Sequence, residues 1–232
     1  MDDAQNTHKQ AAATAALDLV RSGMRLGLGT GSTAFFLVAA LGKKLSQGRL
    51  TDIEAVPTSA ATAELARSAG IKLTTLDAVR LDLAIDGCDE IDPELRAIKG
   101  LGGALLREKI VAEAADVFVL IADDSKRVRQ LGELAALPIE VVQFGWLATR
   151  SRIERLGGET RRRIGVDGQP ILTDNGNFII DWLHDDEPFD AATVDEALKS
   201  ITGVVEHGLF IGLADAAIIA AADGVRTLRA AS

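Results

Sequence analysis

The chain has 232 residues, of which 47% are hydrophobic and 25% charged, with a net charge of −9. Such a length suits one large domain or two small ones, and the composition is that of a globular protein, not a disordered or fibrous one. The acidic balance disfavours nucleic acid and anionic membranes as partners, no run of about 20 apolar residues exists to span a bilayer, and a single cysteine, Cys88, excludes an internal disulfide framework.

The first six residues, Met1 to Asn6, lack the basic and apolar regions of a signal peptide, which with the lone cysteine points to the cytoplasm. His8, His184 and His207 stand far apart in no metal-ligand spacing, so with a single cysteine no dedicated transition-metal site is expected and any proton transfer falls to carboxylates. An acidic protein that binds an anion must gather positive charge locally, which draws attention to Lys9, Lys99 and Lys126.

Thr7 to Val20 carries the apolar stripe of a helix, with Lys9 near its start. Met24 to Leu28 predicts the first strand, running into Gly29-Thr30-Gly31-Ser32-Thr33 and a helix beginning Ala34-Phe35-Phe36. A glycine turn that feeds a helix start is an anion site, because free N–H groups and the helix dipole point at the ligand. Ser32 and Thr33 add hydroxyl donors there or cap the helix. Gly29, Gly31 and Ala34 also meet the loose dinucleotide fingerprint, with Glu54 20 residues beyond Ala34. A nicotinamide cofactor, however, leaves the residues around Lys99 without a role.

Ile53 to Val56 and Ile71 to Leu76 predict the next strands, with an alanine-rich helix between them that stops at Gly70. Leu81, Leu83 and Ile85 open a fourth strand, and Asp86 and Asp89 sit where it should end. Ligands bind beyond the carboxyl ends of parallel strands, so both aspartates are candidates for facing a substrate, although Asp86-Gly87 also suits a plain turn. Lys99-Gly100-Leu101-Gly102-Gly103 follows, a loop in which glycines allow close backbone approach and lysine supplies a point charge. The next helix is apolar almost all round and carries Glu108; burial there would suit a general base, because desolvation raises a carboxylate's pKa towards neutrality. The alternative is that Arg107, Glu108 and Lys109 form a solvated patch. Val117 to Ile121 predicts the fifth strand, with Asp123-Asp124-Ser125-Lys126 at its carboxyl end.

From Pro138 the pattern changes to strand, helix, strand, strand, helix, strand, with a hairpin turn at Asn175-Gly176 and a capping box formed by Thr193 and Glu196. That order is ferredoxin-like. The expectation is therefore an α/β protein: a Rossmann-like, mostly parallel sheet domain from residues 1–130 and 205–232, and an inserted α+β ferredoxin-like small domain from 131–204. The run Arg161-Arg162-Arg163 reads as a solvated strand edge, or as a subunit contact.

Asp86-Gly87-Cys88-Asp89-Glu90, Lys99-Gly100-Leu101-Gly102-Gly103-Ala104-Leu105 and Arg107-Glu108-Lys109-Ile110 resemble the motifs of ribose-5-phosphate isomerase type A. So do Gly29 to Thr33, Ala122 to Lys126 and Thr173-Asp174-Asn175-Gly176-Asn177, in the family's order over nearly the whole chain. The resemblance implies reversible conversion of ribose 5-phosphate to ribulose 5-phosphate through an enediolate, without cofactor or metal. It implies Glu108 as base, Asp86 and Asp89 on the sugar hydroxyls, and Lys99 on the oxyanion or the substrate. Substrate contacts are implied at Thr30, Gly31, Ser32, Thr33, Gly87, Cys88, Gly100, Leu101, Gly102, Lys126 and Lys9, with Ser32 and Thr33 on the phosphate, and relatives suggest a homodimer or a dimer of dimers. Leu101 departs from the family, whose loop has glycine there, and Cys88 stands where alanine is usual. Three other readings compete: a related sugar-phosphate enzyme of the same broad fold acting on another pentose or hexose phosphate, a non-catalytic sugar-phosphate sensor, which would not need Glu108, and the cofactor-dependent dehydrogenase.

Overall fold

The computed structural model describes residues 3–184 and 189–230. Its helices are α1 (Asp3–Ala16), α2 (Ser32–Ser46), α3 (Ala60–Ser68), α4 (Leu105–Glu113), α5 (Trp146–Ile153) and α6 (Ala191–Lys199). The strands are β1 (Arg25–Leu28), β2 (Glu54–Pro57), β3 (Lys72–Leu73), β4 (Leu83–Gly87), β5 (Glu90–Ile91), β6 (Ala97–Ile98), β7 (Phe118–Asp123), β8 (Leu137–Val141), β9 (Glu159–Arg162), β10 (Phe178–Leu183), β11 (Val204–His207), β12 (Leu209–Phe210), β13 (Ala216–Ala221) and β14 (Gly224–Arg229). The chain folds into two compact units. One holds residues 1–88, 107–126 and 212–232; the other holds 89–106 and 127–211.

The first unit is built on a seven-stranded sheet in the order β14-β13-β7-β4-β1-β2-β3. Every pairing in it is parallel except that of β13 with β14. The central strands β4 and β7 are buried along their whole length. That is the pattern of parallel strands covered on both faces, and it explains why they read as continuous apolar runs. The core packs Leu26, Leu28, Leu83, Ile85, Val119 and Ile121 of the sheet against Ala12, Ala13 and Ala16 of α1 and Leu37, Val38 and Leu41 of α2. Strand order runs outward from β1 in both directions, with β2 on one side and β4 on the other, so a topological switch point lies at the carboxyl ends of β1 and β4.

The second unit holds two small sheets. β12-β6-β5 is three-stranded and antiparallel. β11-β8-β10-β9 is four-stranded, with every neighbour antiparallel, α5 between β8 and β9, and α6 between β10 and β11. Its core gathers Leu137, Ile139, Val141, Ile153, Ile180, Trp182 and Leu198. The division differs from boundaries at 131 and 204 because pairing across long sequence separations ties three further segments to this unit. Leu209 pairs with Ile98, Val128 N–H donates to Ile91 O at 3.0 Å, and the buried Glu90 carboxylate accepts the N–H groups of Gly132, Leu134 and Ala135.

Two local expectations change. Helix α6 is capped not by Thr193 but by Asp190, whose Oδ1 accepts Thr193 N–H at 2.7 Å; that bond, first among its contacts, holds the Asp190 carboxyl below its usual range. Helix α4 is not buried all round, since Ile110 is 46% exposed.

Candidate active site

In the first unit the switch point is formed by Gly29 and Thr30 after β1 and by Asp86 and Gly87 ending β4. Asp86 is 3% exposed, and its Oδ1 accepts Thr30 N–H at 3.0 Å and Gly87 N–H at 2.7 Å. Gly29 makes this possible: a Cβ there would overlap the Asp86 carboxyl and lie 2.6 Å from Asp86 Cα. The structure thus brings Thr30, Asp86 and Gly87 together. Gly31, with φ +109°, is the N-cap residue of α2, so Ser32 and Thr33 lie in the helix's first turn and neither caps it. Ser32 is exposed and Thr33 buried. The first-turn N–H groups of α2 have no intrahelical acceptor, as at any helix start.

Thr30 turns its hydroxyl into a cluster that the sequence reading did not single out. Its Oγ1 lies 2.7 Å from Thr58 Oγ1, 2.8 Å from Ser59 Oγ and 3.0 Å from Thr62 Oγ1. Ser59 caps α3 by accepting Thr62 N–H at 3.0 Å, and Thr62 Oγ1 donates to Gly29 O at 3.0 Å. Hydroxyls at the carboxyl end of β2 therefore hold the turn after β1. The only signal in the sequence was the Thr58-Ser59 pair at a helix start.

Glu108 and Lys109 are 4% and 5% exposed, which removes the solvated-patch reading for both. Helix α4 approaches β1 closely where Gly27 faces Val111; a Cβ on Gly27 would lie 2.5 Å from a Val111 methyl. Lys126 sits in a 3-10 turn directly after β7 and is half-buried. Lys9 is not the exposed lysine of a solvated helix face; it is 4% exposed on α1. Gln5, one turn earlier on the same face, reaches Asp123 Oδ1 at 3.5 Å and Ser125 Oγ at 3.2 Å at the end of β7. Cys88 is half-buried.

The dinucleotide reading fails on geometry. Glu54 opens β2 and so lies at its amino end, opposite to where a ribose-binding carboxylate belongs. There it pairs with Lys72 and Arg25, and the hydrogen bond from Lys72 holds its carboxyl below the usual range. Among the described residues no three His, Cys, Asp or Glu side chains come together as a metal site requires.

In the second unit Asp89, Lys99, Gly100, Leu101 and Gly102 lie together. Asp89 Oδ2 accepts Leu101 N–H at 3.0 Å, and Asp89 N–H donates to Ile98 O at 2.8 Å. Lys99 is 2% exposed; its N–H donates to Gly208 O at 2.9 Å and its Nζ lies 5.4 Å from the centre of the Phe210 ring. Gly208 has to be small, since a Cβ would overlap Lys99 O. Gly100 takes φ +103°, a region that glycine enters freely. Leu101 is 45% exposed, so its side chain points outward and not into the core. Arg163, in a run whose sequence reads as a solvated strand edge or a subunit contact, is bonded to this loop: its Nη1 donates to Gly100 O at 3.1 Å and to Leu101 O at 2.9 Å.

A family model described as ribose 5-phosphate isomerase A (phosphoriboisomerase A) matches residues 54–224. The ribose-5-phosphate isomerase A of Roseiflexus castenholzii is 53% identical over 226 residues, which cover 97% of this chain and 95% of that one. That of Chloroflexus aurantiacus is 52% identical over 95% of this chain and 92% of its own. Among solved structures, a D-ribose-5-phosphate isomerase in complex with phospho-erythronic acid superposes with a TM-score of 0.94 at 38% identity, covering 99% of this chain and all of that one. The Plasmodium falciparum ribose 5-phosphate isomerase gives 0.93 at 39% identity, covering 97% of this chain and 98% of its own.

Proposed function

The chain belongs to the ribose 5-phosphate isomerase A family, and we propose that Glu108 is the base with which it moves the proton. The reaction interconverts ribose 5-phosphate and ribulose 5-phosphate. In the open-chain aldose, Glu108 takes the proton from carbon 2. The electron pair forms the carbon 1–carbon 2 double bond and leaves negative charge on oxygen 1. The oxygen 2 proton passes to oxygen 1, and Glu108 returns its proton to carbon 1 to give the ketose. A single carboxylate suffices, because the proton leaves and returns on neighbouring carbons.

The observation that carries this reading is the burial of Glu108 within α4, at 4% exposure, in a helix that leaves Ile110 and Glu113 to solvent. Lys99 stabilises the developing oxyanion, as a donor held in a buried, water-poor place. Asp86 and Asp89 hold the sugar hydroxyls, with Asp86 assisting ring opening. Gly100, Leu101 and Gly102 give backbone contacts. Gly87, Cys88, Thr30 and Gly31 contact the substrate, Ser32 and Thr33 serve the phosphate, and Lys126 and Lys9 are further substrate contacts. The substrate is thus a small sugar phosphate.

We read the four-stranded sheet of the second unit as a ferredoxin-like module on its strand order. Exposed apolar side chains at Phe144, Leu147, Ile164 and Val166 support a homodimer or dimer of dimers, which sedimentation would test. The single cysteine supports a cytoplasmic setting.

Isomerisation in deuterium oxide with chelator present tests the base. Wild type should introduce deuterium at carbon 1, and Glu108→Gln should lose about 10²–10⁴-fold in kcat while remaining folded. Turnover that survives the substitution would move the base elsewhere, with Asp86 next.

A further inference from the structure

Arg163 directly follows β9, and its side chain is 14% exposed. Its guanidinium forks onto Asp181 of β10: Nε donates to Oδ2 at 2.9 Å and Nη2 donates to Oδ1. The remaining nitrogen, Nη1, donates to the two successive carbonyls of Gly100 and Leu101. Its two predecessors behave differently. Arg161 is 69% exposed with Glu159 3.3 Å away, and Arg162 lies over the Trp146 ring at 4.4 Å.

The consequence for the loop follows from peptide geometry. A planar trans peptide holds its C=O and N–H on opposite sides. With Gly100 O and Leu101 O drawn to Arg163, the N–H groups of Leu101 and Gly102 are turned the other way. The first of them meets the Asp89 carboxylate at 3.0 Å. The loop offers little restraint of its own, since glycine loses the most conformational freedom on ordering and three of its five residues, Gly100, Gly102 and Gly103, are glycine. Its internal bond from Gly103 N–H to Gly100 O, at 2.9 Å, leaves the Leu101 carbonyl to Arg163.

We propose that Arg163, oriented by Asp181, is a positioning residue for the isomerisation: it sets the Gly100–Gly102 peptide planes and, through Leu101 N–H, the Asp89 carboxylate. The inference rests on the reading that this loop and Asp89 contact the sugar. Arg163 acts through them and does not touch the reacting atoms. Lysine cannot replace it, because the role needs a planar fork on one partner and a third nitrogen on another.

The test compares Arg163→Met, Arg163→Lys and Asp181→Asn with wild type, measuring kcat and KM for ribose 5-phosphate at a temperature where circular dichroism shows each variant fully folded. Groups that hold the sugar in the geometry of proton transfer act on kcat, so Arg163→Met should lose about 10–100-fold in kcat with KM changed less than about threefold. Arg163→Lys should recover less than about a tenth of that loss, and Asp181→Asn should fall in the same direction. The Arg163→Met, Asp181→Asn double variant should lose no more than Arg163→Met alone, because the two act as one unit. Folded Arg163→Met and Arg163→Lys that keep kcat and KM within about twofold of wild type would overturn the inference, as would a loss explained wholly by a smaller folded fraction. Glu108→Gln and Lys99→Met run in the same assay. If both keep activity, the site reading itself fails and takes this inference with it; if both lose activity while Arg163→Met does not, only the role of Arg163 fails.

Discussion

A methyl group at position 29 would strike the switch point directly. In Gly29→Ala the new Cβ would stand 2.6 Å from Asp86 Cα, against an ordinary contact of at least 3.4 Å, so the two must separate by 3.4 − 2.6 = 0.8 Å. The main chain cannot simply retreat, because Gly29 N–H is bonded to Ile85 O of β4 at 3.0 Å. The Asp86 carboxyl must also leave its place, weakening its bonds from Thr30 and Gly87 N–H. Overpacking costs about 1–3 kcal/mol, and a hydrogen bond to a charged group contributes about 1.5–3 kcal/mol. These overlap, since one movement relieves the clash and breaks the bonds, so the expected loss is about 2–4 kcal/mol. Urea unfolding should show it as a lower midpoint with an unchanged slope. With Asp86 displaced, kcat/KM should fall by about 100-fold or more. Gly87→Ala is the control at the same strand end. Nothing there lies closer than 3.9 Å to the added Cβ, so stability should stay within about 0.5 kcal/mol of wild type. Gly29→Ala as stable and as active as wild type would refute the packing argument.

Three further outcomes are expected. Thr62→Val removes the hydroxyl that holds Gly29 O inside a buried cluster and should cost about 1–3 kcal/mol in urea unfolding, with an equilibrium midpoint below that of wild type. Asp190→Ala removes the cap of α6 and should lower the melting temperature. Because the Thr193 N–H depresses the folded pKa of Asp190 below 3.8, the cap's contribution is complete above that value and fades as pH falls through the folded value. The deficit seen near neutral pH should therefore vanish in acid when melting is followed against pH. Leu101→Gly should keep activity within about tenfold, since the 45%-exposed leucine does not fill the core; a larger change in either direction would show that the side chain shapes the Lys99–Gly103 loop.

Much of this protein was legible in the order of its residues. β10, Phe178–Leu183, follows the Asn175-Gly176 turn as the sequence pattern predicts. The turn after β1 and the aspartate closing β4 lie at strand carboxyl ends, because a glycine turn between an apolar run and a helix leaves the chain little else to do. The motifs around Asp86, Lys99 and Glu108 identified the family, since they combine several uncommon patterns at characteristic spacing. Local sequence carries such information because strand period, turn chemistry and helix starts depend on residues only a few positions apart.

Contacts between distant segments left no such trace. Nothing near Ile98 foretells its pairing with Leu209, and that pairing carries β5, β6 and the Lys99 loop into the second unit. The Thr30 hydroxyl finds its partners 28 to 32 residues away, in a cluster that exists only because β1 and β2 lie side by side. Arg163 reads as one of three like charges on a strand, yet only its place beside Asp181, 18 residues on, turns it to carbonyls 62 and 63 residues back. Amphipathic pattern decides which face of an element is buried; which particular group that face then meets is settled by the packing of elements far apart in the chain, and only the tertiary structure shows it.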